Sequence, residues 1–177
     1  YDGYLDGQWN SRQSTATALR ESIHAAEAES KRKIDTVYVG VPCENIRVVG
    51  AEAEVTISAA DGRVTDADID AVLDAAADKL NLPAQGGYVI HRSPAWFSID
   101  GGKKTMRPLG VRGESLRARV SFILADPAFC EDVRALLSDM GITVLAFFSS
   151  AIGLALLLLP IDERDRAAVV VDVGYLN

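Results

Sequence analysis

Residues 89–120 constrain the fold of this chain more than any other stretch. They contain three short apolar runs, each too short and too interrupted for a helix. The runs are separated by residues that favour turns: Ser93-Pro94, then Gly101-Gly102, then Pro108, Gly110 and Gly113. Short apolar runs bounded by Gly and Pro are typical of strands joined by tight connections. The stretch therefore predicts a small strand-rich module.

Composition sets limits on what the chain binds. Its 177 residues are 49% hydrophobic, which is enough to fill a core and above the range of disordered proteins. The formal net charge is −7. A nucleic-acid partner usually requires a basic face, and an anionic lipid surface repels an acidic protein. We therefore expect neither nucleic-acid binding nor direct membrane insertion.

The cysteines and the first residues indicate the compartment. Cys43 and Cys130 lie far apart without metal-ligand spacing, so we predict two reduced thiols and a cytoplasmic protein. The chain begins with Tyr1, without a basic region followed by an apolar one, so a signal peptide is not expected. This start predicts a segment cut from inside a longer protein.

The run 142–160 is long and apolar enough to suggest a membrane span. Ser149, Ser150 and Gly153 divide it, and residues that favour strands precede residues that favour helices. Lys and Arg anchors are also missing from its flanks. We therefore predict a buried strand over 142–148 and a buried helix over 151–159.

Hydrophobic periodicity and capping residues predict the remaining elements. The helices are expected at 15–33 with Ser14 or Thr15 as N-cap, at 65–80 with Thr65 as N-cap, and at 127–140 after Asp126. The strands are expected at 34–41, at 44–49 and 53–57 as a hairpin around Gly50, and at 88–91, 95–99, 116–124 and 167–173. Pro42 and Ser149-Ser150 suggest boundaries, so 43–148 is predicted to be an α+β insert between host segments 1–42 and 149–177.

Two features in the central stretch are candidates for a partner-binding surface. Trp96 and Phe97 are neighbours on a predicted strand and must point to opposite faces, so one is core and the other is free for contacts. The basic residues concentrate just after them: Lys103, Lys104, Arg107, Arg112, Arg117 and Arg119. One interpretation is a docking site for an acidic partner. The other is a solvated loop whose charges keep an exposed strand from pairing wrongly.

Catalytic and metal chemistry has little support. His91 and His24 lack a nucleophile or acid partner in the sequence pattern, so we predict structural or surface roles. Asp66, Asp68 and Asp70 resemble a calcium-loop spacing but lack its Gly and Glu, and acids at a helix start explain them better. Gly101-Gly102-Lys103-Lys104 lacks phosphate-loop spacing and predicts a hairpin turn. We therefore expect no enzyme activity, no metal site and no cofactor in this chain.

A particular order of residues runs through the chain. Pro94 lies in an apolar strand, Asp100 lies in a turn, and Pro108-Leu109-Gly110 with Gly113 leads into a long strand at 116–125. Weaker matching segments lie at 33–40, 65–69, 135–144 and 162–174. This order resembles the FtsA family of bacterial cell-division proteins, which belongs to the actin-like ATPase superfamily, over nearly the whole chain.

The resemblance implies a fold. It implies an SHS2-type (1C) two-layer module, a small antiparallel sheet with helices, over 43–148. The flanking elements would be partial actin-like, ribonuclease H-like pieces: 1–42 as the helix and strand ending the first actin-like subdomain, and 149–177 as the start of the second actin-like half.

The resemblance also implies a function. It would be a non-catalytic interaction and assembly module that recruits divisome partners and supports head-to-tail self-association, with FtsZ bound only through regions outside this chain. The parent protein would be cytoplasmic and peripheral at the inner face of the cell membrane. The alternative is part of an actin-like ATPase of another system, such as pilus assembly or cell-shape determination.

One departure from the family pattern concerns nucleotide. The family's phosphate loop has Asp, an aliphatic residue and three glycines, and here Asp172 and Gly174 match it. Tyr175 and Leu176 replace glycines, and their Cβ atoms obstruct a tight turn against phosphate. Asp172 and Gly174 are thus the candidate residues of a degenerate phosphate loop. ATP and Mg²⁺ would belong to the full-length parent and not to this chain.

Overall fold

The computed structural model describes residues 3–5, 8–82, 86–163 and 169–171. These residues form the strands β1 (Tyr4–Leu5), β2 (Gln8–Trp9), β3 (Thr36–Val41), β4 (Ile46–Thr56), β5 (Tyr88–Ile99), β6 (Ser115–Ala125) and β7 (Thr143–Ser149). They also form the helices α1 (Arg12–Ser30), α2 (Asp66–Leu80), α3 (Pro127–Ser138) and α4 (Ser150–Leu158). The mixture of helices with a small antiparallel sheet confirms the predicted α+β class.

The chain forms two compact units. One contains Arg47–Leu124, and the other combines Tyr1–Ile46 with Ala125–Asn177. We call the latter the second unit. The chain leaves it and re-enters it at adjacent residues, since the Asp126 N–H donates to the Asn45 carbonyl at 2.9 Å. The sequence had suggested an insert extending to residue 148. The structure groups 125–149 with the chain termini because β7 pairs in parallel with β3.

The Arg47–Leu124 unit has two layers. Its three-stranded sheet has the order β4-β6-β5, and α2 supplies Val72, Leu73 and Ala76 to a shared core. In the central strand β6, alternate residues are buried, including Leu116, Val120 and Phe122. Alternation of this kind belongs to a sheet with one covered face. The opposite face of β6 carries Arg117 and Arg119, which are exposed.

Gly50 and Pro94 were expected to interrupt strands, but each lies inside a continuous strand. The predicted hairpin around Gly50 is wrong, because β4 runs through that position. A Cβ at Gly50 would meet the Val120 carbonyl at 3.2 Å, so the glycine permits close approach to β6 rather than a turn. Pro94 likewise lies inside β5. β5 is an edge strand, where a missing N–H is tolerated.

The helix starts follow local chemistry. Thr65 caps α2, as predicted, and the structure adds a full capping box in which Asp68 is the reciprocal acceptor. Asp126 caps α3 and Pro127 opens it, and Gly141 follows it with φ +75°, also as predicted. α1 begins earlier than predicted. Its N-cap is Ser11, whose side chain accepts a hydrogen bond from the Ser14 N–H, whereas Ser14 or Thr15 was expected to be the cap.

The second unit is more open than its sequence suggested. β3 and β7 form a two-stranded parallel sheet, and Ile142, Val144, Val133 and Leu137 form its small core. The predicted burial of β7 and α4 is not found, and β3 is also incompletely covered. Exposed apolar side chains lie on all three: Tyr38 on β3, Leu145 and Phe148 on β7, and Leu156, Leu157 and Leu158 on α4. With two strands, the sheet described has too little neighbouring structure to cover them.

The apolar run 142–160 divides into β7 and α4, as predicted. Among the described residues, no helix combines the length and the apolar character that crossing a membrane requires. The strand predicted at 167–173 falls mostly outside the described residues. Of that segment 169–171 is described, and those three residues have no strand assignment.

Candidate partner-docking surface

A tight turn fixes the end of β5. The Gly102 N–H donates to the Ile99 carbonyl at 2.8 Å across Asp100 and Gly101, whose φ values are +49° and +69°. Two positive φ angles are what a type I′ hairpin turn requires. The chain then pairs back on β5, because Phe97 and Thr105 exchange two backbone hydrogen bonds of 2.8 Å. The prediction of a hairpin turn at Gly101-Gly102 is confirmed.

Trp96 and Phe97 lie on opposite faces of β5, as predicted. Phe97 is 3% exposed within the core. Trp96 is half-buried, and the Lys104 Nζ lies 4.2 Å from the centre of its ring. A cation over an indole face is attracted by the electrons of the ring. Trp96 and Lys104 therefore form one contact surface next to the turn.

The segment after the turn is held by its backbone at both ends. The Gly110 N–H donates to Val64, the Val64 N–H donates to Val111, and the Gly113 N–H donates to Gly62, each at 2.9 Å. The Asp100 carboxylate accepts the N–H groups of Glu114 and Ser115 at 2.9 and 2.8 Å. These two hydrogen bonds lower the pKa of Asp100. The segment is therefore an ordered surface and not a free loop.

We call residues 103–112 the basic loop. Lys103, Lys104, Arg107 and Arg112 are all exposed on it. Within the described residues, no ion pair involves Lys103, Lys104 or Arg112. In an acidic protein, adjacent cations without a carboxylate partner create a local field of opposite sign, which attracts anionic groups.

Sequence reasoning missed the apolar part of this loop. Met106, Leu109 and Val111 are 59%, 56% and 42% exposed, and they lie between the cations. The alternation of apolar and basic residues after Gly102 was the available signal. A notch of about 350 Å³ lies beside them, lined by Ile99, Asp100, Lys103, Thr105, Val111 and Arg112.

Arg117 and Arg119 do not belong to the basic loop. Both pair with Glu52 on the open face of the sheet, with N–O distances of 2.6 and 3.6 Å. The structure therefore divides the predicted basic concentration into two groups. The four loop cations remain candidates for partner binding, and the two arginines on β6 help to neutralise an acid on the neighbouring strand.

Asp68 is the most strongly bound carboxylate of this unit. It is 2% exposed and accepts hydrogen bonds from the backbone N–H and the hydroxyl of both Ser58 and Thr65, at 2.7 to 2.8 Å. These bonds hold the pKa of Asp68 far below its usual range, against the effect of burial. The group ties the α2 N-terminus to the segment after β4, a link that the sequence did not predict.

The other candidates do not form a site. No group of three potential metal ligands occurs among the described residues, and Asp66 and Asp70 are exposed acids of the first turns of α2. His24 and His91 are exposed. Both thiols are free: Cys43 is exposed, and burial raises the pKa of Cys130 to about 11. Asp172 and Gly174 lie outside the described residues.

The second unit contains a larger, mostly apolar cavity of about 770 Å³. It is lined by side chains of α1, β3 and α3, among them Leu19, Ile23, Val39 and Val133, together with Trp9. Glu44 contributes a charge to this lining, but the described residues do not provide the convergent set of charged groups that would orient a small ligand. The cavity lies beside β3 and leaves side chains of that strand incompletely covered.

Comparison with known proteins places the two-layer unit in a family. A family profile described as "SHS2 domain inserted in FTSA" matches residues 43–124. Among curated proteins, the chain is similar to the cell division protein FtsA of Neisseria meningitidis, with 26% identity over 97% of the chain and 41% of the relative. The FtsA of Streptococcus pneumoniae is 26% identical over 97% of the chain and 37% of the relative.

The same similarity extends to Pseudomonas aeruginosa FtsA, which is 26% identical over 92% of the chain and 38% of the relative. The chain thus spans about 40% of the length of these relatives. The family match and the compact unit Arg47–Leu124 share the antiparallel sheet and α2. The chain is therefore similar to FtsA cell-division proteins along nearly its whole length, and its residues 43–124 match the SHS2 domain inserted in FtsA.

Proposed function

We propose that this chain is a non-catalytic protein-interaction and assembly module of bacterial cell division. It would recruit divisome partners and support head-to-tail self-association. The observation that carries the proposal is the ordered basic loop on an SHS2 domain, where Lys103, Lys104 and Arg112 have no ion pair among the described residues of a chain of net charge −7. Charge of one sign, concentrated on an ordered surface, favours selective docking of a complementary protein.

The proposal includes the setting of the whole protein. We propose a cytoplasmic protein that is peripheral at the inner face of the membrane. Contact with FtsZ would be made by regions other than this chain. The relatives are named as cell division proteins, which supports this setting over pilus assembly or cell-shape determination.

Localisation in cells tests the proposal. A fluorescent fusion of the chain, produced in a rod-shaped bacterium that has its own FtsA, should concentrate at mid-cell. The double variant Lys103→Glu and Lys104→Glu should lose this concentration. The matched control is Arg32→Glu with Lys33→Glu, because these neighbouring cations are also exposed but lie in the other unit. Uniform fluorescence of the unmodified fusion would contradict the proposal.

We also propose that the chain does not bind nucleotide. Asp172 and Gly174 match a phosphate loop, but Tyr175 and Leu176 stand where glycines would allow backbone N–H groups to close on phosphate. Titration calorimetry with Mg-ATP should therefore show no heat of binding. A stoichiometric site of micromolar affinity would overturn this part of the proposal.

A further inference from the structure

We infer that the basic loop binds a short peptide segment in which carboxylates alternate with apolar side chains. The inference rests on the proposed function and names the chemistry of its partner. Cations alone would fit any acidic surface. The three exposed apolar side chains, Met106, Leu109 and Val111, require something more specific, because they lie between the cations and remain in contact with water.

The notch supplies the place for an apolar anchor. Ile99 and Val111 form its apolar walls, and Lys103 and Arg112 lie at the same notch. The Asp100 carboxylate also lines it, but its Oδ1 accepts the N–H groups of Glu114 and Ser115. Its volume of about 350 Å³ is at the lower end of ligand pockets. It therefore suits one side chain of a peptide, while the two cations attract the neighbouring carboxylates of that peptide.

The loop is also preorganised. The Phe97–Thr105 pair fixes one end, and the bonds between residues 62–64 and 110–113 fix the other. Asp100 holds the start of β6 through two N–H groups. A surface that is already ordered loses little conformational entropy on binding, so a small contact area still gives measurable affinity.

A peptide fits these observations better than an anionic membrane. An anionic bilayer is a broad surface of one charge sign, and the whole chain carries a charge of −7, with exposed acids such as Asp66 and Asp78 in the same unit. Like charges near a surface oppose association. A short peptide needs to approach only the notch and its neighbouring cations.

Fluorescence anisotropy with labelled peptides tests the inference on the full chain. The probe is a peptide of alternating glutamate and leucine, compared with a peptide of alternating glutamate and serine. We expect the leucine peptide to bind at least about tenfold more tightly, because it buries apolar side chains against the loop. Equal affinity for the two peptides would show that charge alone is recognised and would overturn the inference.

Variants locate the site. Val111→Asp should weaken the leucine peptide by about tenfold, because it places a carboxylate in the notch. Lys103→Ser with Arg112→Ser should weaken it by about fivefold and reduce its salt dependence. Arg32→Ser with Lys33→Ser should leave the affinity unchanged. Unchanged melting temperatures, measured for every variant, show that the fold is intact.

Three further outcomes separate the inference from the proposed function. Vesicles of phosphatidylglycerol that bind the chain, and lose binding with the same variants, would identify a membrane as the partner and overturn the inference. Failure of both peptides and vesicles to bind, with mid-cell localisation of the fusion intact, would overturn the inference and leave the proposed function standing. Uniform fluorescence of the unmodified fusion, with binding of the leucine peptide intact, would overturn the proposed function.

Discussion

At the scale of single residues, Asp68 illustrates how a buried charge is made stable. Four short hydrogen bonds replace the water that burial removes, and each donor comes from Ser58 or Thr65. A carboxylate with such partners stabilises the folded state only while it is ionised. Asp68 therefore links the N-terminus of α2 to the segment that follows β4 through hydrogen bonds.

Replacing Asp68 by Ala should destabilise the chain by about 3 kcal/mol, since a cap and several hydrogen bonds to a charged group are lost together. Urea unfolding at pH 7 measures this difference, and Asp66→Asn is the control because Asp66 is an exposed acid of the same turn. A loss equal to that of the control would contradict the assigned role.

The same residue predicts a pH dependence with a defined sign. The folded-state pKa of Asp68 lies below the unfolded value, so its contribution is fully present above about pH 4. It is lost as the pH falls from there through the folded-state pKa. The stability of the unmodified chain should therefore fall more steeply below pH 4 than that of Asp68→Asn. Parallel curves for the two proteins would exclude Asp68 as the cause.

At the scale of elements, local signals predicted the starts of α2 and α3, although they misplaced the start of α1. Thr65, Asp126 and Gly141 act within one turn of the chain, so their effect is readable from neighbours. Gly50 and Pro94 also looked like breaks, but their roles depend on strands that are distant in sequence. Gly50 lets β6 approach, and Pro94 is tolerated because β5 is an edge. A sequence alone does not indicate which strand lies beside which.

Gly113 tests the packing of the loop against β5. A Cβ at this position would collide with Ile99 Cγ2 and would lie 2.8 Å from Asp100 Oδ2. Gly113→Ala should therefore destabilise the chain by about 1–3 kcal/mol. Ile99→Ala removes the colliding methyl group, so the double variant should be less destabilised than the sum of the two single variants. Thermal unfolding of the four proteins measures the coupling, and strict additivity would contradict this account.

The candidate site could be predicted in part for the same reason. Trp96, Phe97 and the loop cations were readable because strand alternation and charge are local properties. The exposure of Met106, Leu109 and Val111 depends on the backbone bonds that tie residues 110–113 to 62–64. Likewise Arg117 and Arg119 could not be separated from the loop cations until Glu52 was placed on the neighbouring strand.

At the scale of the whole molecule, the parallel pair β3 and β7 joins residues about a hundred positions apart, which no local pattern reveals. Parallel sheets are normally covered on both faces. Here Tyr38 is 68% exposed and Leu157 on α4 is 81% exposed. Exposed apolar residues of this size mark surfaces at which proteins associate.

We therefore expect the chain to form a dimer or a larger oligomer at tens of micromolar. Static light scattering measures its mass. Leu157→Lys should shift the population towards monomer, because it places a charge in the exposed apolar group of α4. Val48→Lys is the matched control, since Val48 is also exposed but belongs to the other unit. A monodisperse monomer for the unmodified chain would show that these surfaces do not drive association.

The hydrogen bond between Asp126 and Asn45 has a consequence for how such a protein is assembled in evolution. Because the chain leaves and re-enters the second unit at adjacent points, the residues between them are, for that unit, one closed loop. The entropy of closing a loop rises only slowly with its length. The SHS2 domain is thus an insertion between two adjacent residues. Domains of other sizes could replace it there with little loss of stability in the second unit.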